Sequence, residues 1–361
     1  MVWAMASGAG GCGELVVGGF PGTTLPPAYA KALAEGRRGG AILFKGNVEG
    51  GVRQVASLTR AIHATGAQPA LVGVDQEGGR VARLKAPVLE VPPMRTVASW
   101  GDVPFAERIA ATLGGELAAL GFTVDFAPVL DVNTCATNPV IGDRAFGDDA
   151  ATCARFGVAW VRGLQSAGIL ACGKHFPGHG DTTKDSHHDL PVVDLPLERL
   201  RAVELAPFRA AAEAGVATLM TAHVVYTALD PKLPATLSPV ACTRLRSEIG
   251  FGGVLVSDDL EMQAIAARWS VEEAAVQAVA AGCDLLLVCW SDEKQERAVE
   301  ALGREAERSA AFRARCDEAL VRVRRARASA RAPLADEAAA LALVGGAESR
   351  AVAEGMSQRA T

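Results

Sequence analysis

Gly168-Ile169-Leu170-Ala171-Cys172 leads into Lys174-His175-Phe176-Pro177-Gly178-His179-Gly180-Asp181-Thr182-Thr183-Lys184-Asp185-Ser186-His187-His188-Asp189-Leu190-Pro191. The first run is short and apolar and reads as a buried strand. The second holds four of the chain's 6 histidines, with aspartates beside them. Pro177, Gly178 and Gly180 oppose a helix, so the sequence predicts an extended loop, crowded with titratable groups, leaving a strand end. Chemistry tends to sit on such scaffold-held loops.

Working outward, seven more apolar runs share that character: 14–20, 41–44, 70–74, 122–126, 216–220, 253–257 and 284–289. They are continuously hydrophobic, as parallel strands covered on both faces are. Helix-like segments alternate with them: 27–37, 51–65, 105–120, 150–167, 197–214, 236–249 and 271–281. Ser238-Pro239 reads as the cap and first turn of one helix, and Gly282 closes another. The stretch 76–97 reads as irregular. Eight βα units predict an α/β fold of the (β/α)8 TIM-barrel type, with a doubly wound open sheet as the alternative. No GxGxxG opens the first unit and no Walker A sequence occurs. The barrel is expected over residues 1–292. A C-terminal helical extension over 293–361, packed on or trailing from it, is not expected to be an independent domain. Within the extension, 296–328 reads as one helix, 336–343 as another, and 355–361 as frayed.

The chain has 361 residues, half of them hydrophobic, and a net charge of -5. Charges of both signs are mixed along it, which argues against a nucleic-acid partner. No apolar run reaches membrane-spanning length. Met1 to Ser7 lacks the basic region and apolar core of a signal peptide, so a cytoplasmic location is expected. The cysteines at 12, 135, 153, 172, 242, 283, 289 and 316 form no CxxC pair. Cys172, Cys283 and Cys289, which sit in apolar runs, read as reduced core residues.

In a barrel, functional residues cluster where strands end at the C-terminal mouth. The polar groups there are Asp75, Glu77, Arg80 and Arg83; Asp131, Asn133, Asp143 and Arg144; Lys174 and His175; His223; Asp258 and Asp259; and Trp290, Ser291 and Asp292. Asp185 and His187 are two apart, so in extended chain they share one side. There a carboxylate can fix the imidazole tautomer and leave the other nitrogen as acid or base. The alternative is a surface turn in which Asp185 or Ser186 caps backbone. Of Asp258 and Asp259, one is expected to face the mouth and the other the helix layer, and one to cap the following helix. A carboxylate opposed by a proton donor is the minimum for glycoside cleavage. His175 and His179 have the spacing of a helical zinc pair, but Pro177-Gly178 removes that geometry. A metal-dependent barrel hydrolase stays open at this point.

The motif at 174–187 resembles the signature of the β-N-acetylglucosaminidases of glycoside hydrolase family 3. So do Asp75-Gln-Glu-Gly-Gly-Arg-Val-x-Arg83, Phe126-Ala-Pro-Val-Leu-Asp131 and Asn138-Pro-Val-Ile-Gly-Asp-Arg144. Met220-Thr-Ala-His223, Pro234-Ala-Thr-Leu-Ser238 and Ser257-Asp-Asp-Leu-x-Met262 follow in order, so the likeness covers roughly residues 14 to 290. His188-Asp189 departs from the pattern, and the tail past residue 292 carries none of its motifs.

The resemblance implies retaining hydrolysis through a covalent glycosyl-enzyme. Asp258 is then the nucleophile, His187 the general acid/base on a mobile loop, and Asp185 its dyad partner. Asp75, Arg83, Arg144, Lys174 and His175 hold the sugar, and no metal or cofactor is implied. The implied substrate is a peptidoglycan fragment, N-acetylglucosamine linked β-1,4 to 1,6-anhydro-N-acetylmuramic acid, with or without peptide, in cell-wall recycling. The expected partner is this small carbohydrate, with no nucleic acid and no membrane. Oligomeric state is not legible, with a monomer favoured. Competing readings are a β-glucosidase or glycoside phosphorylase of the same family, and a non-enzymatic sugar-binding or wall-sensing protein.

Overall fold

The computed structural model describes residues 9–65, 70–183, 185–186, 189–332, 334 and 336–360. Eight parallel strands close into a barrel: β1 (Val16–Gly18), β2 (Gly40–Leu43), β3 (Leu71–Val74), β4 (Val124–Asp125), β5 (Leu170–Phe176), β6 (Thr218–Thr221), β7 (Val254–Asp259) and β8 (Leu285–Val288). Each pairs with its neighbours in sequence, and β1 pairs with β8 to complete the ring. The barrel expectation therefore holds and the open sheet does not.

The interior is apolar and full. Val17, Leu71, Val124, Phe126, Val256 and Leu285 leave a void of only about 10 Å³. Close packing of this kind makes the barrel a solid support with its chemistry at one end. Two strands carry register shifts at their C-terminal ends. β5 slips against β6 between Gly173 and Phe176, and β7 slips against β8 between Val256 and Asp259. Such irregularities re-aim side chains, and these two lie where Lys174, His175 and Asp258 emerge.

Several local expectations need correction. Residues 174–176 continue β5 rather than opening the loop, because Lys174 and His175 find buried charged partners that let a polar pair extend a core strand. The stretch after β3 is not wholly irregular: Gln76–Gly78 pairs with Val81–Ala82, and Met94–Ser99 is helical. The segment 197–214 is two helices, Leu197–Ala202 and Ala206–Glu213, the second carrying Pro207 in its first turn, where proline is tolerated. The long helix expected at 296–328 is broken into Asp292–Arg308 and Ala310–Ser329. Ser309 accepts the Phe312 N–H and so caps the second. The predicted caps elsewhere are in place, with Ser238 accepting from Ala241 and Gly282 at φ 132°.

The segment 355–361 is not frayed as far as it is described, for helix Ala347–Ala360 runs through it. Val352 and Met356, one turn apart, are buried. Arg359 pairs with Asp102 at 2.7 Å and lies 3.9 Å over the Phe105 ring. The C-terminal helices share the barrel's hydrophobic core through Phe312, Leu320, Val323 and Val344. Val323 and Ala326 cover the N-terminal end of the barrel interior. Glu14, ahead of β1, holds Arg324 and Arg327. Among the described residues, no helix is long and apolar enough to cross a membrane.

Candidate active site

A cavity of about 580 Å³ opens at the C-terminal mouth, and Asp75, Arg83, Arg144, Lys174, His175 and Asp258 all line it. Residues far apart in sequence are thus brought together by strand ends. Lys174, at the end of β5, is 3% exposed and needs full compensation there. Its Nζ lies 2.9 Å from Asp75 Oδ1 and 2.6 Å from Glu77 Oε1. Arg83 donates to the other Asp75 oxygen at 3.1 Å. Arg144 forks onto Glu77, with Nε and a terminal nitrogen each 2.8 Å from a carboxylate oxygen.

This network fixes the charge states. Burial opposes ionisation of Asp75 and Glu77, but the neighbouring cations prevail and hold both below the usual carboxylate range. Burial likewise works against Lys174, yet Asp75 and Glu77 raise it above its ordinary value. Glu77 lay inside a quoted motif without a role; its partners are distant in sequence, so spacing could not reveal them. Asp125, on β4 beneath this network, was also missed. Burial pushes its carboxyl up to about 8, and one oxygen accepts from the Gln76 N–H.

Asp131 organises the start of the motif. One of its oxygens accepts the backbone N–H groups of His175 (3.1 Å) and His179 (2.7 Å), and the other lies 2.7 Å from His175 Nδ1. The His175 ring is thereby oriented with its second nitrogen free of that bond. The loop then folds back on residues 132–138. A Cβ on Gly180 would stand 1.8 Å from the Val132 carbonyl oxygen, so only glycine fits. Asn138 donates to the His179 carbonyl at 2.8 Å, and Tyr226 donates to the Gly178 carbonyl. His179 is buried, with Nδ1 2.7 Å from Thr182 Oγ1 and Nε2 3.1 Å from Ser186 Oγ. Burial, aided by His175, lowers its pKa to about 4. His179 is therefore neutral near pH 7 and serves as a hydrogen-bonding post inside the loop.

Ser186 lines the same cavity as Asp258, and its carbonyl accepts the Ala264 N–H at 3.3 Å. The loop therefore reaches the chain just beyond β7. Asp185 is half-buried and does not line the cavity; His187, with Lys184 and His188, lies outside the described residues. The Asp189 N–H donates to the Asp185 carbonyl at 3.0 Å.

The aspartate pair at the end of β7 is resolved by environment. Asp259 accepts the N–H groups of Glu261 and Cys289, both at 3.1 Å, tying β7 to the exit of β8. Burial pushes it up to about 7. Asp258 accepts the Asp259 N–H at 2.8 Å. Burial works against its charge, but His223 and His175 outweigh this and hold it below the usual carboxylate range. Both residues line the cavity. Asp258 shares the cavity with Asp75 and Arg83.

Among the described residues, no group of three or more His, Cys, Asp and Glu is placed to hold a metal ion. The cysteines are unbridged.

A family model described as the glycosyl hydrolase family 3 N terminal domain matches residues 16–326. A beta-hexosaminidase of Nitrosomonas eutropha is 39% identical over 287 residues, covering 78% of this chain and 82% of that one. One from Thiobacillus denitrificans is 42% identical over 275 residues, covering 74% and 76%. Among solved structures, a glycoside hydrolase family 3 beta-N-acetylglucosaminidase from Paenibacillus sp. str. FPU-7 matches with a TM-score of 0.89 at 41% identity, over 99% of this chain and 69% of that one. NagZ from Neisseria gonorrhoeae in complex with N-trifluoroacetyl-D-glucosamine matches with a TM-score of 0.80 at 31% identity, over 96% and 98%.

Proposed function

The chain belongs to glycosyl hydrolase family 3, as a glycoside hydrolase of the β-hexosaminidase kind, and on that premise we propose that it is a retaining exo-β-N-acetylglucosaminidase. The observation that carries the reading is Asp258: a half-buried carboxylate at a strand end, held below the usual carboxylate range by neighbouring histidines, inside the cavity that also holds Asp75, Arg83, Lys174 and His175. The sugar analogue bound by the Neisseria relative supports an acetamido sugar.

In the proposed first step, Asp258 attacks the anomeric carbon while His187 gives its proton to the glycosidic oxygen. The bond from that carbon to the leaving group breaks, and a covalent glycosyl-enzyme forms. In the second, His187 takes a proton from water as the water attacks the same carbon. The bond to Asp258 breaks and the sugar leaves with its β configuration restored. Asp185 is the proposed partner of His187, favouring the imidazolium that the first step needs. The seating of Ser186 in the cavity, beside the chain that follows Asp258, supports this. Asp75, Arg83, Arg144, Lys174 and His175 are the proposed sugar contacts, pre-set by their ion pairs so that little ordering remains on binding.

The proposed substrate is N-acetylglucosamine β-linked to 1,6-anhydro-N-acetylmuramic acid, with or without peptide, met in the cytoplasm during cell-wall recycling. The test is hydrolysis of this disaccharide and of 4-nitrophenyl N-acetyl-β-glucosaminide beside the matching β-glucoside, with and without phosphate. Release from the acetamido substrates, phosphate-independent and with the β-anomer formed first by NMR, is expected. Preference for the glucoside, a sugar 1-phosphate product or an initial α-anomer overturns the reading.

A further inference from the structure

The outer wall of the cavity differs from its floor. Trp290, directly after the exit of β8, is 64% exposed yet lines the cavity. One side of its ring stacks on Phe44, with centroids 4.4 Å apart and planes at 23°. Phe44 follows β2 and lies 6.0 Å from the guanidinium carbon of Arg83. The aromatic pair is thus continuous with the ionic floor. Trp290 is also held from behind. Its backbone N–H donates to Glu261 at 2.6 Å, and the Ser291 backbone N–H donates to the same oxygen at 3.1 Å. The other Glu261 oxygen pairs with Lys294 at 3.1 Å. Glu261 stands three residues past Asp258, so the backbone at Trp290 is held by the turn that follows the strand carrying the proposed nucleophile. Beside Phe44, Lys45 is exposed, lines the cavity and makes no ion pair among the described residues.

A large indole left open to water forgoes the gain of burial, yet this one is stacked on Phe44, on a backbone held by two hydrogen bonds, at the edge of a sugar-sized cavity. We propose that Trp290, Phe44 and Lys45 form the leaving-group subsite, which takes a second pyranose ring face-on to the indole and places a carboxylate substituent of that ring against the Lys45 ammonium. The apolar face of a pyranose matches an aromatic surface, and the ammonium supplies charge selection at the rim. The inference rests on the reading of the site as a β-N-acetylglucosaminidase with Asp258 as nucleophile, and it adds the residues that receive the leaving group.

The experiment compares three donors of N-acetylglucosamine: the β-1,4 disaccharide with N-acetylmuramic acid, the methyl ester of that disaccharide, and the β-glycosyl fluoride, which has no second ring. The kcat/KM ratio of disaccharide to fluoride is expected to fall about tenfold in Trp290→Ala and to recover largely in Trp290→Phe, as the loss of one aromatic stacking contact predicts. Wild type is expected to prefer the acid to its ester by roughly two- to fivefold, the range of an exposed ion pair, and Lys45→Met to erase that preference. Ratios taken within one preparation are insensitive to the amount of folded protein. A disaccharide-to-fluoride ratio in Trp290→Ala equal to wild type overturns the subsite. A wild type indifferent to acid and ester overturns the assignment of Lys45. A wild type that cleaves none of the three donors overturns the underlying reading instead.

Discussion

Nε2 of His179 lies 3.1 Å from Oγ of Ser186, a hydrogen bond within one loop that spans the approach to His187. Because burial holds His179 at a pKa of about 4, the ring is neutral throughout the neutral range. Its proposed role is positioning. His179→Ala is expected to lower kcat about 10- to 100-fold, the range associated with misplacing a reacting group, with a smaller change in KM. Ser186→Ala should show the same split in weaker form. A loss confined to KM in steady-state kinetics would remove the positioning role.

Asp258→Gly should reduce turnover by about 10³-fold or more, as removal of a covalent nucleophile does. Added azide is expected to restore cleavage of an activated aryl glycoside and to yield the α-glycosyl azide, since attack then comes once from the vacated face. Rescue giving only the β-azide would contradict a nucleophilic Asp258. Asp259→Asn, by contrast, keeps an acceptor for the Glu261 and Cys289 amides and should cost much less in kcat.

Glu77→Gln removes the carboxylate shared by Lys174 and Arg144. Stranding buried cations is expensive, so the variant should lose about 3–5 kcal/mol of stability in urea unfolding. Arg144→Lys should also weaken sugar binding, because one ammonium cannot reproduce the fork onto Glu77. Wild-type unfolding midpoints in Glu77→Gln would show that the network is not under that constraint.

Asp125 has its folded pKa raised by burial, up to about 8, against ~4 in an unfolded chain. The folded state therefore holds this proton more tightly. Its contribution to stability is present in full below about pH 4 and is lost as pH rises through about 8. Asp125→Asn cannot ionise and should escape that loss. The melting temperature of the variant minus that of wild type is expected to grow between pH 5 and pH 9; a constant difference would refute the shift.

At the other end of the chain, Met356→Ala should destabilise the protein by about 2–3 kcal/mol, the cost of truncating a buried side chain. Urea unfolding checks this; no effect would mean that helix Ala347–Ala360 is not bound to the barrel in solution.

The barrel was legible because its strands, buried on both faces, are uninterrupted apolar runs such as Leu285–Val288. The terminal helix was harder to read. It buries Val352 and Met356 within an otherwise small and polar sequence, and its hold on Asp102 and Phe105 joins residues about 250 apart. The same contrast runs through the site. Lys174, His175 and Asp258 could be placed at strand ends from sequence alone. That Lys174 would extend a strand depended on Asp75 and Glu77, and the different settings of Asp258 and Asp259 depended on amides contributed by Glu261 and Cys289. Spacing reports which face a side chain takes; it does not report the field it meets there.

The helix Ala310–Ser329 lays Val323 and Ala326 over the N-terminal end of the barrel, and Arg324 and Arg327 clasp Glu14 ahead of the first strand. The residues that stopper the barrel are thus translated after all eight strands. While the ribosome still holds this segment, the emerging barrel has an open lower rim and exposed apolar lining. An uncovered apolar rim of this kind is what makes a partly synthesised chain prone to associate wrongly.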